Sequence, residues 1–364
     1  MARIALTGGG TGGHVYPALA IGDILRERGH EVEYFGDGER LEARVAPTRG
    51  YTFTPVSAPR YPRGGVLGKV GFGLRLLAAI WEARGLLKRK RIDVVLGVGG
   101  YISAPCILAA WTLGRRTVIH EANVVPGAAN RLCARVADTV LLTYNATRKR
   151  LNSRGPQVLV GVPVNHAVLE GDRTAAAAKY ALQPDRPTVL FVGGSLGAAR
   201  INDLALAAAR LSDRSFQVLH LCGRTYHAEV LAAVGAVPEG VAIVDYEDRM
   251  ADAYAMADLV CCRTGSSTLG EICAVGLAGL LIPSANVTDN HQEENARGLE
   301  RVGAGEVLVE RDWDDQQALA RVVDLMADAE RRAEMARAAK SQARLDAAAL
   351  AADQIENLVG AQSG

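Results

Sequence analysis

The sequence predicts an α/β protein made of two doubly wound units, each a parallel sheet between layers of helices. Three observations predict it. Short apolar, strand-like runs alternate with longer helix-like stretches, which is the signature of βαβ units. A strand, a glycine-rich turn and a helix open the chain, and the same pattern restarts near residue 188. The 364 residues also exceed the roughly 250–300 at which a single core stops growing.

In the first half, strands are expected at 4–6, 32–35, 94–98, 117–120 and 139–142. The segment 155–163, with Pro156, Gly161 and Pro163, reads as a passage between domains. This divides the chain into 1–163 and 164–340, with a helical tail at about 341–364. In the second half, strands are expected at 188–192, 217–221, 241–244, 259–262 and 280–283. Ligands of such sheets bind beyond the carboxyl ends of the strands. The clusters at 7–14, 97–101 and 120–123 all fall on that edge.

The composition excludes several classes. A net charge of +1 and 5% aromatic residues give no reason to expect nucleic acid. None of the six cysteines forms a C-x-x-C pair, so reduced thiols in a cytosolic setting are expected and a zinc site is not. The chain opens on a strand with no signal peptide pattern. Its longest uncharged run, 94–114, is broken by glycines and Pro105 and does not read as a membrane span. No G-K-[S/T] loop is present, which disfavours ATP hydrolysis. The one D-x-D, Asp312-Trp313-Asp314, reads as a helix cap rather than a metal site. No metal and no cofactor are called for.

The first glycine cluster is Thr7-Gly8-Gly9-Gly10-Thr11-Gly12-Gly13-His14, with Pro17 expected in the first turn of the following helix. Gly8, Gly10 and Gly13 fit G-x-G-x-x-G, and Asp37 stands where a nicotinamide enzyme carries its ribose-binding acid. Alternatively, the loop lets an anionic ligand approach the backbone at a helix N-terminus. A plain packing turn is the third reading. A dinucleotide site does not call for His14. An ordinary histidine pKa of about 6.5 suits a general base at neutral pH; the other reading of His14 is structural. His120 and Glu121 are secondary candidates for the role of base, since they could simply brace neighbouring loops. Asn123 could hydrogen-bond a sugar or an amide.

In the second half, Gly193-Gly194-Ser195-Leu196-Gly197 follows a strand, and Arg263-Thr264-Gly265-Ser266-Ser267-Thr268 follows another. Small hydroxyl residues and glycine at a helix start suit a diphosphate. Glu271, one turn on, suits a ribose diol, or closes a capping box with Ser267 or Thr268 as cap. Ser195 has the same two readings, cap or phosphate donor. The polar run Asp289-Asn290-His291-Gln292-Glu293-Glu294-Asn295 is either a solvated helix start or part of the same edge.

One helix-like stretch, 66–91, places Val70, Leu74, Leu77 and Trp81 on one face ahead of Arg84, Lys88, Arg89, Lys90 and Arg91. Trp111 with Arg115 and Arg116 repeats the theme. Apolar groups beside cations suit a helix lying on an anionic membrane. An amphipathic helix packed on the sheet is the alternative.

Taken in order, Gly9-Gly10-Thr11-Gly12-Gly13-His14-Val15-Tyr16-Pro17, Gly99-Gly100-Tyr101, His120-Glu121-Ala122-Asn123, Gly193-Gly194-Ser195-Leu196-Gly197 and Arg263-Thr264-Gly265 with Glu271 resemble the MurG family. These are bacterial N-acetylglucosaminyltransferases that convert lipid I to lipid II in peptidoglycan synthesis. The resemblance implies a GT-B fold: two Rossmann-like domains facing a cleft, the C-terminal helix returning to the first. It implies UDP-N-acetylglucosamine held mostly by the second domain. Ser195, Thr264, Gly265, Ser266, Ser267, Thr268 and Glu271 would hold diphosphate and ribose, 246–250 would flank uracil, and Gln292 would read sugar hydroxyls. Thr11, Gly12, Gly13 and Asn123 would approach the donor sugar and the acceptor diphosphate, beside Gly99, Gly100, Tyr101 and Glu121. The acceptor would be a polyprenyl-diphosphate glycolipid, which accounts for an apolar face at Val70, Leu74, Leu77, Trp81 and Trp111.

The chain departs from the family pattern at two places. Asn165 stands where the family carries an arginine that helps hold the donor, and Glu247 stands where an aliphatic residue is common. The expected reaction is an inverting, metal-independent transfer of N-acetylglucosamine to the C4 hydroxyl of the muramoyl sugar, with His14 as base. The expected setting is peripheral, at the cytoplasmic face of the bacterial plasma membrane, within a cell-wall synthesis complex. The alternatives are a transferase acting on another UDP-sugar and lipid, and a non-catalytic scaffold that binds a nucleotide sugar at the membrane. A nicotinamide oxidoreductase leaves the second glycine loop without a role.

Overall fold

The computed structural model describes residues 1–59, 66–285 and 290–360. The chain divides into two compact units, Met1–Asn165 with Arg344–Gly364, and His166–Ala343. Each is built on one parallel sheet.

The first unit runs β1 (Arg3–Thr7), α1 (Gly12–Glu27), β2 (Glu31–Gly36), α2 (Leu41–Thr48), β3 (Thr52–Pro55), α3 (Val66–Arg89), β4 (Val94–Gly97), α4 (Ser103–Thr112), β5 (Arg116–Glu121), α5 (Ala128–Cys133), β6 (Thr139–Leu142) and β7 (Gln157–Leu159). The strand order is β3-β2-β1-β4-β5-β6-β7. Alternate residues of the central strands face opposite layers, so each strand is buried on both sides. Ile4 and Leu6 face Leu19, Ile21 and Leu25 of α1. Ala5 and Val95 face Ala83 and Leu87 of α3 together with Ile107 of α4.

The second unit runs α6 (Arg173–Tyr180), β8 (Thr188–Val192), α7 (Ala199–Ala209), β9 (Gln217–Leu221), α8 (His227–Val234), β10 (Val241–Val244), α9 (Met250–Met256), β11 (Leu259–Cys262), α10 (Ser266–Val275), β12 (Ala278–Leu281), α11 (His291–Glu300), β13 (Gly305–Val307), α12 (Asp315–Ala327) and α13 (Ala329–Ser341). Its sheet order is β10-β9-β8-β11-β12-β13. The order turns back beside the first strand in both sheets, which opens a crevice at the carboxyl edge.

The last helix, α14 (Ala347–Gly360), belongs to the first unit. Ala351 and Ile355 complete the core layer over Leu6 and Leu19. Its outer edge is tied to α1 by ion pairs from Arg28 to Asp353 and Glu356, both at 2.7 Å. His30 Nε2 lies 2.9 Å from Glu356 Oε1.

Three strands were not foreseen. β3, β7 and β13 lie at sheet edges, where a strand is paired on one side and needs no continuous apolar run. β7 falls inside the segment expected to be a passage between domains. β12 lies two residues earlier than expected. All six cysteines are buried and none is in a disulfide. Among the described residues, no helix is long and apolar enough to cross a membrane.

Candidate active site

The register Thr7↔Gly97 and Gly97↔Ile119 brings the ends of β1, β4 and β5 to one edge of the first sheet. The loops that leave them therefore meet. Helix α1 starts at Gly12, with Thr11 as its extended N-cap. The backbone N–H of His14 donates to Thr11 O at 3.1 Å, so His14 is in the first turn rather than ahead of the helix. Pro17 is consequently the sixth helical residue, not a first-turn residue, because Gly12 and Gly13 wind into the helix.

The ring of His14 rests on Gly99. A Cβ on Gly99 would lie 2.9 Å from His14 Cε1 and 3.0 Å from Nδ1. Gly99 also holds φ +100° and Gly100 φ +78°, conformations open chiefly to glycine. A Cβ on Gly100 would reach 2.5 Å from Gly9 O, so the two glycine loops touch backbone to backbone. Tyr101 donates its hydroxyl to Asp37 Oδ2 at 2.6 Å. Burial and that carboxylate push the phenol up to about 12. Asp37, the ribose acid of the dinucleotide reading, is thus held within the protein.

Glu121 is buried and accepts from Asn123 N (2.9 Å), Asn123 Nδ2 (3.3 Å), Gly127 N (3.0 Å) and Asn130 Nδ2 (2.9 Å). Burial raises its pKa and these hydrogen bonds oppose the rise. It braces the loop that presents Asn123, which is half-buried. His120 is buried with Nε2 3.1 Å from Gly161 O and 3.2 Å from Thr143 Oγ1. Burial holds it down at about 4, so it is a neutral strut and not a proton carrier at physiological pH.

Sequence reasoning missed Glu42. It is fully buried, and Oε2 accepts from Gly10 N at 3.2 Å. Gly10, at φ +88°, therefore turns its N–H inward to a carboxylate.

In the second unit, Gly194 (φ +89°) and Gly197 (φ +80°) shape the loop after β8, and Ser195 is exposed at its tip. Helix α7 begins at Ala199 with Ala198 as N-cap, which overturns the cap reading of Ser195. Helix α10 begins at Ser266 with Gly265 as N-cap, and no side chain caps it. Glu271 is therefore its sixth residue, too far in for a capping box with Ser267 or Thr268. Glu271 Oε2 accepts from Tyr254 OH at 2.7 Å. Burial raises its carboxyl above the usual range, against the pull of that hydrogen bond.

Several of the expected site residues also bond within the protein. Thr264 is buried and donates its hydroxyl to Gln292 O at 2.8 Å. Gln292 Oε1 accepts from Ser284 N at 2.9 Å. Ser266 is buried, whereas Ser267 and Thr268 are half-buried. Arg263 pairs with Glu310 at 2.7 Å. Glu247 accepts from Tyr180 OH at 2.5 Å, Lys179 Nζ at 2.9 Å and Arg249 N at 2.8 Å, so its carboxylate belongs to that cluster. Asn165 is half-buried at the last position of the first unit. In the polar run ahead of Gln292, Asp289 lies outside the described residues. Asp314 caps α12 through Gln317 N at 2.8 Å. Among the described residues, no group of three His, Cys, Asp or Glu could hold a metal ion.

Helix α3 corrects one alternative. Its buried face is Ala79, Ala83 and Leu87. Val70, Leu74, Leu77 and Trp81 face outward with 58%, 66%, 57% and 73% of their surface exposed. The apolar stripe read from the sequence is therefore not what packs on the sheet. Trp111 on α4 is 48% exposed, and Arg84 ties the two helices through Thr112 Oγ1 at 2.8 Å.

Comparison with known proteins identifies this arrangement. The model of the glycosyltransferase family 28 N-terminal domain matches residues 4–142, and that of the family 28 C-terminal domain matches 188–351. A protein of Salinibacter ruber named UDP-N-acetylglucosamine--N-acetylmuramyl-(pentapeptide) pyrophosphoryl-undecaprenol N-acetylglucosamine transferase is 36% identical, over 95% of this chain and 94% of its own. One of Clavibacter sepedonicus with the same name is 38% identical, over 98% and 96%. The crystal structure of Acinetobacter baumannii MurG superposes with a TM-score of 0.77 at 28% identity, covering 98% of this chain and all of that one. The chain belongs to glycosyltransferase family 28 and, within it, to the MurG family.

Proposed function

We propose that this protein transfers N-acetylglucosamine from UDP-N-acetylglucosamine to the C4 hydroxyl of the muramoyl sugar of lipid I, forming lipid II. The observation that carries this reading is full-length similarity, at 36% and 38% identity, to transferases named for that acceptor. The first unit takes the acceptor and the second the donor. His14 removes the proton from the C4 hydroxyl. The oxygen attacks the anomeric carbon from the face opposite UDP, the new C–O bond forms, the bond to the diphosphate breaks, and UDP departs. The product is a β-1,4 link.

The residues fall into consistent roles. Ser195 and the uncapped start of α10, with Gly265, Ser267 and Thr268, face the donor diphosphate, whose charge a helix N-terminus stabilises. Glu271, held by Tyr254, takes the ribose. Asn123, presented by Glu121, and the first turn of α1 with Thr11, Gly12 and Gly13 meet the sugar and the acceptor diphosphate. Thr264 and Gln292 shape the loop around α10 through their internal bonds, and Ser266 is the first residue of that helix. The outward stripe Val70, Leu74, Leu77 and Trp81, with Trp111, rests on the anionic inner leaflet of the plasma membrane, where the polyprenyl acceptor lies. There the enzyme serves a cell-wall synthesis complex.

The test is release of UDP from UDP-N-acetylglucosamine in the presence of a short-chain lipid I analogue. Acceptor-dependent release supports the reading. Release with another UDP-sugar but not this one points to a different lipid glycosyltransferase, and donor binding without release points to a scaffold; either contradicts it.

A further inference from the structure

We propose that Glu42 is a positioning residue for the acceptor half of the reaction: it turns the first glycine loop so that the first turn of α1, and not Gly10, meets the acceptor diphosphate. The proposal rests on the function just argued.

Glu42 is the second residue of α2 and is fully buried. Its two oxygens accept from two loops, Oε2 from Gly10 N and Oε1 from Asp37 N, each at 3.2 Å. Two glycines make room for it. A Cβ on Gly9 would collide with the carboxylate, and one on Gly36 would lie 2.6 Å from Glu42 Cγ. Among the described residues no cation pairs with it. Its charge is met by two N–H groups and by the N-terminus of its own helix.

The chemistry singles out glutamate. An apolar side chain would take the acceptor away from the N–H groups of Gly10 and Asp37. Glutamine would offer one acceptor oxygen and set an NH2 group against the other donor. The bracket continues outward. Asp37, whose N–H Glu42 holds, accepts the Tyr101 hydroxyl. The Tyr101 ring stands 3.6 Å from where a Cβ of Gly10 would be. Gly10 is thereby gripped from below and from the side, with its N–H withdrawn from any ligand. The chain then enters α1 through Thr11, whose side chain makes no cap. An anion approaching this edge meets the first turn of the helix.

The test compares wild type with Glu42→Gln and Glu42→Ala. It uses steady-state kinetics for both substrates, thermal melting, and amide hydrogen exchange over residues 8–14 and at Asp37. Misplacing a reacting partner by about 1 Å can cost as much as about 100-fold. Glu42→Gln is therefore expected to lower kcat/KM for a lipid I analogue at least about tenfold, with the KM for UDP-N-acetylglucosamine within about twofold of wild type. Exchange at whichever of Gly10 and Asp37 loses its acceptor is expected to quicken, while residues away from these two loops match wild type. Unchanged acceptor kinetics, or loss of donor and acceptor parameters together in step with a lost folded fraction, overturns the proposal. If Glu42→Ala does not fold, Glu42→Gln decides alone. If wild type releases no UDP at all, the functional reading fails, and unchanged exchange at both Gly10 and Asp37 in Glu42→Gln separately overturns the clamp.

Discussion

The imidazole of His14 lies against the bare Cα of Gly99, so that a single methyl group at position 99 would stand 2.9 Å from its Cε1. The base proposed for the reaction is thus aimed by a glycine 85 residues away in the chain, through the pairing of β1 with β4. Gly99→Ala is expected to push the ring aside and to strain a backbone at φ +100°. We expect kcat to fall at least about tenfold through misalignment, while the KM for UDP-N-acetylglucosamine holds. Steady-state kinetics with each substrate varied in turn checks this.

Removing the Tyr254 hydroxyl should be felt at Glu271. Tyr254→Phe leaves a sunken carboxyl without the hydrogen bond at 2.7 Å, and that bond is what restrains the burial-driven rise in its pKa. The expected cost is about 1–3 kcal/mol of stability for a buried polar group left unmade, with a several-fold weaker grip on UDP. Urea unfolding and calorimetric titration with UDP measure the two effects. Unchanged UDP affinity would remove Glu271 from the donor site.

His120 makes stability depend on pH. Its folded value of about 4 lies below the ordinary 6.5, so the folded protein binds the proton less readily than the unfolded chain. Its contribution is full above about 6.5 and is lost as pH falls towards about 4, on the order of 3 kcal/mol in all. His120→Gln keeps a donor for Gly161 O and removes the titration. Urea unfolding between pH 7 and 4.5 should therefore show a shallower loss of stability in His120→Gln than in wild type. An equal slope would mean that His120 does not titrate in this range.

The outward face of α3 is open to direct test. Leu77→Ser with Trp81→Ser removes two side chains with more than half of their surface exposed, so melting temperature should hold. Membrane partition should drop at least about tenfold, since burying one such side chain contributes about 1.5–3 kcal/mol. Sedimentation with vesicles containing anionic lipid reads it. Undiminished binding would place the membrane surface elsewhere.

The layout was legible in the sequence where the physics is local. Buried central strands such as β1, β4 and β8 are short apolar runs, and the loops after them betray themselves by glycine. His14 stands out because a dinucleotide-binding loop does not call for a histidine at that place. The missed features are non-local. β3, β7 and β13 are edge strands with weak patterns. Glu42 acts on backbone N–H groups of loops that lie 32 residues away and five residues away, and no spacing rule marks a carboxylate that bonds to main chain. On α3 the periodic large residues drew attention, but the core takes the smaller Ala79 and Ala83. The helix starts at Gly12, Ala199 and Ser266 lie where the backbone turns, and that settles Ser195 and Glu271 as non-capping residues.

The most direct test of the central claim is the turnover of His14→Ala with UDP-N-acetylglucosamine and a short-chain lipid I analogue, followed by UDP release. Loss of a general base predicts a kcat lower by roughly 100-fold or more, with donor affinity unchanged. Wild-type turnover in His14→Ala, with the donor bound as before, would contradict it.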